Sequence, residues 1–416
     1  MALYIDGEQV LTTDETFEVI ESPITFDDLR AGERYDARKE ADDIFTKDCI
    51  EGAGKPYVAK TPEGIYKKCE AQPVKAFETY GPVSITKSEN GFLYDFGRNN
   101  AGVYKLRVNG KYGQKITLDF GELIKDGKID FSNIAFAGRS RKNYVQHDEY
   151  ICKEGSQEYM PSFTYHGYRY VYVKGITEEQ APNLLEYIVL HSDIPRTGQF
   201  PCSSEMLNKI YQCTLASDLA NFYYFPTDCP QREKNGWTGD VMLSAEQLLY
   251  TFDCTASMRE WLYNVRMAQR PNGSLPGIVP TAGWGYDNGM NGPAWDGALI
   301  ETTYQLNRFS GNKQIIQENF EAIRLYITFL KSKINANGLL QFGLGDWCEV
   351  GCYETPSTSN EVTDTLTAIN LLNKTEKMFA DIGDQERCNE TKSFRTSLTE
   401  KFKEKYVVQG KVQCAT

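Results

Sequence analysis

The most informative part of the chain is the stretch Pro-Thr-Asp-Cys-Pro-Gln-Arg-Glu-Lys-Asn-Gly-Trp-Thr-Gly-Asp, residues 226–240. Three carboxylates, an arginine and a tryptophan lie in one turn-rich loop that ends where a helix is predicted to begin. Acids that fold together oppose one another's ionisation, so this crowding must serve something other than stability. Cleavage of a sugar acetal is one such use, because it needs a carboxyl group that keeps its proton and others that hold hydroxyls. The sequence therefore predicts an active site in this loop.

Several residues of the loop also have structural explanations. Thr238 suits a helix cap, which places Asp240 in the first helical turn, where backbone N–H groups and the helix dipole favour negative charge. Asp228 suits an Asx-turn. Trp237 could equally be an ordinary packed indole. On these residues alone, the structural and the functional interpretations both stay open.

Glu233 is harder to explain by structure. It lies close in sequence to two other acids, Asp228 and Asp240, and an Arg232 turned toward Asp228 would leave it unpaired. A carboxyl group that keeps its proton near neutral pH is what a glycosidic general acid requires. We therefore take Glu233 as the candidate general acid.

Downstream of Pro195, apolar residues recur at helical spacing. Ser204 precedes the first such run and suits an N-cap. Further helices are predicted at about 239–250, 255–269, 294–309, 313–334, 360–381 and 384–406. Long paired helices without strands indicate an array of α/α-hairpins, of which an α/α toroid is one closed form.

Upstream, short runs alternate apolar and polar residues between turn signals. The strand-like runs are 92–96, 103–108, 115–120, 165–173 and 184–190. Asn109-Gly110 and Asp126-Gly127 predict turns between strands. We expect a partial β-rich domain over residues 1–75, an antiparallel β-sandwich over 76–195 and a helical domain over 196–416.

Composition excludes several kinds of partner. The net charge of -12 argues against nucleic acid and an anionic membrane surface, because both need a basic face. No apolar run is long enough to span a membrane. The 11 cysteines have no repeated spacing and the three histidines do not lie at metal-ligand spacing, so we expect reduced thiols, no metal and no cofactor. The first residues, MALYIDGEQV, lack signal-peptide features, which predicts a cytoplasmic protein, whereas oligomeric state has no signature here.

Tryptophan recurs in loops between the later predicted helices. Trp284 and Trp295 lie in one Gly-rich stretch, and Trp347 lies in another beside Asp346. Any single one of these indoles could be a core residue. Their shared placement in loops, next to glycine, favours stacking against a sugar ring.

These motifs resemble those of a known family. Asp-Cys-Pro-Gln-Arg-Glu at 228–233, followed by Gly-Trp-Thr-Gly-Asp at 236–240, resembles the signature of bacterial α-L-rhamnosidases of glycoside hydrolase family 78. Gly-Pro-Ala-Trp-Asp at 292–296 and Gly-Asp-Trp at 345–347 resemble its next two motifs in the same order. The segments 32–38, 95–99 and 163–170 resemble sequences that precede its barrel. The similarity covers essentially the whole chain.

The resemblance implies a multidomain β + α protein, with N-terminal antiparallel β-sandwich domains followed by an incomplete (α/α)6 barrel. It implies inverting hydrolysis of terminal α-L-rhamnosides, with Glu233 as general acid. Many family members carry Asp-Glu after the arginine, whereas this chain has one residue fewer, so Glu233 could align with either acid. The remaining positions that the resemblance assigns to rhamnose binding are Asp228, Arg232, Trp237, Asp240, Trp295 and Trp347.

An inverting enzyme also needs a second carboxylate, roughly 6.5–9.5 Å from the first, to activate water. The resemblance implies that this base lies beyond the C-terminus, so we expect the chain to be a fragment that lacks both ends of the parent protein. Asp346, Glu349 and Glu354 are acids within the chain, and none is assigned as base. Two alternatives stay open, namely a non-catalytic carbohydrate-binding protein and an α/α-barrel glycosidase for another sugar.

Overall fold

The computed structural model describes residues 2–41, 53–57, 59–60, 67–134, 146–281, 283, 285–286, 289–347 and 358–413. The chain forms two compact units. The first comprises Met1–Lys68 with Ala76–Val189, and the second comprises Cys69–Lys75 with Leu190–Thr416. This grouping differs from the predicted separate domain over residues 1–75, because strands from that region pair into the sheet formed by later residues.

The β-rich part of the chain contains fourteen strands among the described residues. They are β1 (Ala2–Ile5), β2 (Glu8–Thr12), β3 (Ile24–Asp28), β4 (Gly32–Asp36), β5 (Val74–Tyr80), β6 (Ser84–Ser88), β7 (Gly91–Gly110), β8 (Lys115–Gly121), β9 (Leu123–Lys125), β10 (Lys128–Asp130), β11 (His147–Ile151), β12 (Gly155–Tyr159), β13 (His166–Lys174) and β14 (Leu185–Ser192).

Ten of these strands form one sheet, in the order β3-β4-β11-β8-β13-β7-β14-β5, with β6 and β12 also paired to β7. The predicted strands 92–96 and 103–108 are parts of the single strand β7. Its first residues pair with β6 and β13, and its last residues pair with β12 and β14, all antiparallel. One pair departs from the predicted antiparallel arrangement, since β4 and β11 are parallel.

The interior of this sheet is rich in aromatic side chains. Phe92, Tyr94 and Phe96 alternate inward along β7, as the period of two in the sequence predicts. Tyr168 and Tyr187 stack on each other with ring centroids 4.1 Å apart. The hydroxyl groups of both tyrosines donate hydrogen bonds to backbone carbonyls, which satisfies them inside the core.

The second unit contains seven helices among its described residues, and all seven predicted helices are confirmed. They are α1 (Glu205–Ala220), α2 (Thr238–Thr251), α3 (Thr255–Ala268), α4 (Ala298–Ser310), α5 (Gln314–Ser332), α6 (Asn360–Asp381) and α7 (Gln385–Tyr406). Short hairpins join β15 (Phe222–Tyr223) to β16 (Phe225–Pro226), and β17 (Val407–Val408) to β18 (Lys411–Val412). Ser204 caps α1 as predicted, because its hydroxyl oxygen accepts from the N–H of Leu207 at 3.4 Å.

These helices pack as successive α/α-hairpins in two layers. Helix α4 packs against α2 and α6, which forms one layer, and α3 packs against α5 behind it. Trp261 of α3 is 1% exposed, and its indole N–H donates to the carbonyl of Val279 at 2.9 Å. The predicted order of a β-rich half followed by a helical array is therefore confirmed. Within the described residues, no helix has the length and apolar character that crossing a membrane requires.

Candidate active site

Each predicted tryptophan motif lies in the loop that precedes a helix of one layer. Trp237 precedes α2, Trp295 precedes α4, and Trp347 lies in the segment between α5 and α6. The loops touch one another, since the N–H of Leu344 donates to the carbonyl of Asn291 at 2.9 Å. The architecture thus brings sequence-distant motifs to one end of the helical layer.

Glu233 is held by the indole four residues after it. The Nε1–H of Trp237 donates to Oε2 of Glu233 at 2.8 Å. The Glu233 side chain is 15% exposed, so it faces a restricted space rather than bulk water. The structure therefore supports treating Glu233 and Trp237 as one functional pair.

Arg232 does not take the expected position beside Asp228. Its terminal nitrogen approaches Oε1 of Glu233 at 3.4 Å, and its side chain is 40% exposed. The Nε–H of the same guanidinium is buried and has no hydrogen-bond partner among the described residues. A buried donor without a partner is uncommon in folded proteins and marks this arginine as a candidate functional residue.

Asp228 closes the loop on itself. One carboxylate oxygen accepts from the N–H of Asn235 at 2.8 Å, and the other accepts from the thiol of Cys229 at 2.9 Å. The backbone N–H of Asp228 also donates to the carbonyl of Asn235 at 3.0 Å. Burial raises the pKa of this carboxyl above its usual range. The Asx-turn interpretation of Asp228 is therefore wrong, because residue 230 is a proline without an N–H and the carboxylate instead bonds Asn235, seven residues on. A role of Asp228 in sugar binding stays a prediction.

Asp240 lies in the first turn of α2, as predicted, and opens onto a cavity of about 290 Å³. Asp228 and Asp218 line the same cavity. Asp240 is exposed at the surface, but its carboxyl group lies where surrounding protein displaces much of the water. This desolvation and, to a smaller extent, the charge of Asp228 raise the pKa of Asp240 to about 6. Asp218 was missed by the sequence analysis because it lies within the regular pattern of α1. Burial raises its pKa to about 6, and Gln247 donates to its carboxylate at 2.6 Å.

Trp237 and Trp295 are each fitted against a glycine. The N–H of Thr238 donates to the carbonyl of Gly277 at 2.8 Å. The ring of Trp237 packs beside that glycine, where an added Cβ would lie 3.5 Å from its Cζ3 atom. The indole of Trp295 lies against Gly239, where an added Cβ would stand 2.8 Å from two atoms of the ring. Trp295 therefore contacts the same turn of α2 that carries Asp240.

Trp347 is 62% exposed, and its place in a shared sugar subsite stays a prediction. The residues Trp284, Glu349 and Glu354 lie outside the described part of the chain. Among described residues, no group of three His, Cys, Asp or Glu side chains is placed to hold a metal ion.

A buried acid cluster beneath two of the loops was not predicted. Asp296, directly after Trp295, accepts from the hydroxyl of Tyr326, and both side chains are fully buried. Asp364 accepts from the N–H of Phe342 at 2.8 Å. Burial raises the pKa of Asp296 to about 7 and, together with the charge of Asp296, that of Asp364 to about 8. The sequence did offer a signal for Asp364, because this acid lies on the apolar face of the predicted helix 360–381.

Comparisons with known proteins agree with this architecture. Residues 195–416 match the bacterial alpha-L-rhamnosidase 6 hairpin glycosidase domain, and residues 85–191 match the bacterial alpha-L-rhamnosidase concanavalin-like domain. An alpha-L-rhamnosidase of Formosa agariphila is 30% identical over 83% of this chain and 37% of its own length. One of Streptomyces avermitilis is 30% identical over 85% of this chain and 34% of its own length.

Solved structures give the same result. The alpha-L-rhamnosidase from Dictyoglumus thermophilum superposes with a TM-score of 0.88 at 30% identity, over 98% of this chain and 46% of its own. The Streptomyces avermitilis alpha-L-rhamnosidase, solved with L-rhamnose, has a TM-score of 0.88 at 26% identity, over 99% of this chain and 39% of its own. This chain thus spans less than half the length of these relatives. The two domain matches and the shared fold establish that the chain belongs to the bacterial α-L-rhamnosidase family.

Proposed function

We propose that this chain carries the acid-bearing half of an α-L-rhamnosidase site, which hydrolyses terminal α-L-rhamnose from glycosides or polysaccharide fragments. The observation that carries the proposal is the hydrogen bond from the Trp237 indole to the Glu233 carboxyl at 2.8 Å. It fixes an acid at the edge of an indole, so a sugar ring that stacks on the indole face would have its leaving oxygen close to that acid.

In this mechanism Glu233 donates a proton to the departing glycosidic oxygen while positive charge develops on the sugar ring. The 40% exposed side chain of Arg232 and the carboxylates of Asp228 and Asp240 are the groups proposed to bind rhamnose hydroxyls. Trp295, packed on Gly239, supplies a second aromatic wall near Asp240. Each of these groups belongs to the loop 228–240 or contacts it, which supports a single subsite.

The proposed stereochemical course is inversion, as expected when water attacks the face opposite the leaving group with help from a second carboxylate. No acid among the described residues is assigned as that base. The expected cytoplasmic location likewise stays a prediction. A rhamnose-containing carbohydrate is the proposed partner of the site.

The test assays the full-length protein on two α-L-rhamnosides that differ in leaving group. One carries an activated nitrophenol and the other carries an alkyl alcohol. Glu233→Gln keeps the shape and the hydrogen bond from Trp237 but has no proton to donate, so kcat should fall by about 10²–10⁴ on the alkyl substrate. The loss should be smaller on the nitrophenyl substrate, since a nitrophenolate leaves without protonation. Glu246→Gln on α2, whose carboxylate pairs with Arg308 at the surface, is the matched control.

Two results would contradict the proposal. Equal losses on both substrates would show that Glu233 does not protonate the leaving group. Release of nitrophenol from another glycoside, with none from the rhamnoside, would exclude rhamnose as the substrate. The anomer released first, followed by NMR, tests inversion separately.

A further inference from the structure

A second cavity lies on the β-rich unit, outside the loops described above. It has a volume of about 290 Å³, near the lower end of the range of roughly 300–1,000 Å³ for small-molecule pockets. The exposed face of the sheet forms its floor, and the hairpin of β9 and β10 contributes Gly127, Lys128 and Ile129 to its wall. We refer to it as the sheet cavity.

The floor of the sheet cavity is an ordered row of side chains across neighbouring strands. Leu93 of β7 pairs with Tyr172 of β13, which pairs with Asp119 of β8, which in turn pairs with His147 of β11. Partners in register point to the same face of a sheet, so the row presents an apolar group, an aromatic ring and an acid in sequence. Ile129 and Phe131 extend the apolar side.

The acid in this row has a fixed orientation. Nδ1 of His147 lies 2.7 Å from Oδ1 of Asp119, and Nε2 of the same ring lies 3.3 Å from Glu149. Hydrogen bonding to Asp119 raises the pKa of His147. Nζ of Lys174 lies 3.8 Å from the other carboxylate oxygen of Asp119. Asp119 lines the cavity and its side chain is 17% exposed, so its carboxylate is an acceptor that a ligand in the cavity can reach.

The charges around the sheet cavity balance. Lys174 faces Asp119, and Lys128 lies 3.8 Å from Glu89 on the opposite rim. Two ammonium groups would repel a cation and two carboxylates would repel an anion, so the lining favours a neutral ligand. Such a ligand must also place an apolar face on Leu93 and Tyr172 while donating hydroxyls to Asp119. A pyranose ring has both features.

We propose that the sheet cavity binds one neutral sugar ring and holds the glycan without hydrolysing it. The proposal rests on the proposed function only for the identity of the glycan. The ammonium group of Lys174 lies over one face of the Tyr172 ring, 5.2 Å from its centroid. The C–H face of the sugar therefore packs on Leu93 and the other face of that ring, and its hydroxyls bond to Asp119 and Lys174. The site is therefore a binding site of the β-rich unit, additional to the acid-bearing loop of the helical unit.

Affinity electrophoresis of the whole chain, in native gels that contain a neutral rhamnose-bearing polysaccharide, tests this proposal. The chain should be retarded, and Tyr172→Ala should weaken the apparent affinity by about fivefold or more because the apolar platform is lost. Tyr112→Ala is the matched control, since Tyr112 is 69% exposed on the same unit and lies outside the cavity. Ser88→Trp fills the cavity without removing any floor residue, so it should give the same loss.

Circular dichroism and the midpoint of thermal unfolding identify any variant that fails to fold. If Tyr172→Ala does not fold, Ser88→Trp still decides the outcome. Retardation that persists in both variants but disappears in Trp237→Ala overturns the proposal, since the glycan then binds only at the helical unit. Absence of retardation in the unmodified chain overturns it as well. Failure of the proposed function shows separately, as absence of rhamnoside hydrolysis by the full-length protein while the Tyr172-dependent retardation of the chain is intact.

Discussion

Gly239 is expected to control the position of Trp295, and Gly239→Ala tests this directly. An added Cβ would stand 2.8 Å from Cε2 and Nε1 of the indole, whereas ordinary contacts begin at 3.4 Å. The indole must therefore retreat by about 0.6 Å if α2 keeps its position, which close packing in protein interiors favours. Displacements of this size at a binding site weaken function by about tenfold, or about 1.4 kcal/mol.

The assay is the dissociation constant for L-rhamnose, measured by calorimetry on the whole chain. Gly239→Ala should raise it about tenfold, while the free energy of unfolding falls by no more than about 2 kcal/mol. The reason is that alanine improves helix propensity by up to about 1 kcal/mol, which partly offsets crowding of about 1–3 kcal/mol.

A double-mutant cycle separates displacement of the indole from other effects. In a Trp295→Ala background the new methyl group meets no ring, so Gly239→Ala should change the dissociation constant by less than about twofold. The same tenfold loss in both backgrounds would refute the reasoning, because the effect would then not pass through the indole.

Three further outcomes follow from contacts in the helical unit. Trp237→Phe keeps an aromatic ring but removes the indole N–H that donates to Glu233. We therefore expect kcat to fall about threefold to tenfold with little change in KM. A change in KM alone would argue against a role of the indole in positioning Glu233. Asp364 has a pKa of about 8 in the folded state, whereas an unfolded aspartate has a pKa of about 4. Between these pH values the native protein binds a proton that the unfolded chain does not. The free energy of unfolding should therefore decrease as pH rises from about 4 to about 8. In Asp364→Asn, the difference between the free energies of unfolding at pH 5 and pH 8, measured by urea titration, should become smaller. An unchanged difference would contradict the raised pKa of Asp364. Tyr326→Phe removes one donor from the buried carboxyl of Asp296, which keeps the N–H of Gly292 at 3.4 Å. It should lower the free energy of unfolding by about 1–3 kcal/mol, as judged by the same urea titrations.

The helices could be predicted from the sequence because their determinants are local. The 3.6-residue period and an N-cap serine place the start of α1, and the period alone gives α6 its bounds of Asn360–Asp381. The strand β7 could not be predicted as one element. Its middle, Gly97–Gly102, contains turn-forming residues, and Gly97 adopts a φ of 76°. Pairing with four other strands keeps it continuous, and no local pattern encodes those partners.

The same distinction holds at the candidate site. The contact between Glu233 and Trp237 joins residues four positions apart, so the motif itself brings them together. The partner of Asp296 lies 30 residues away in α5, and the acid near it, Asp364, lies in α6. Such contacts depend on how helices pack, which apolar periodicity does not specify. The Arg232 side chain was misplaced for a related reason, since its choice between two nearby acids is decided by loop conformation.

The parallel pairing of β4 with β11 has a consequence for how the chain is made. The carboxylate of Asp148 accepts from the N–H of Glu33 across 115 residues of intervening chain, so this edge of the sheet cannot assemble until most of the β-rich unit has left the ribosome. Helical hairpins close over far shorter distances and gain their contacts early. Strands β3 and β4 pair with each other locally, but β4 meets β11 only later. In the interval β4 presents an open edge to which a chaperone or another nascent strand can bind.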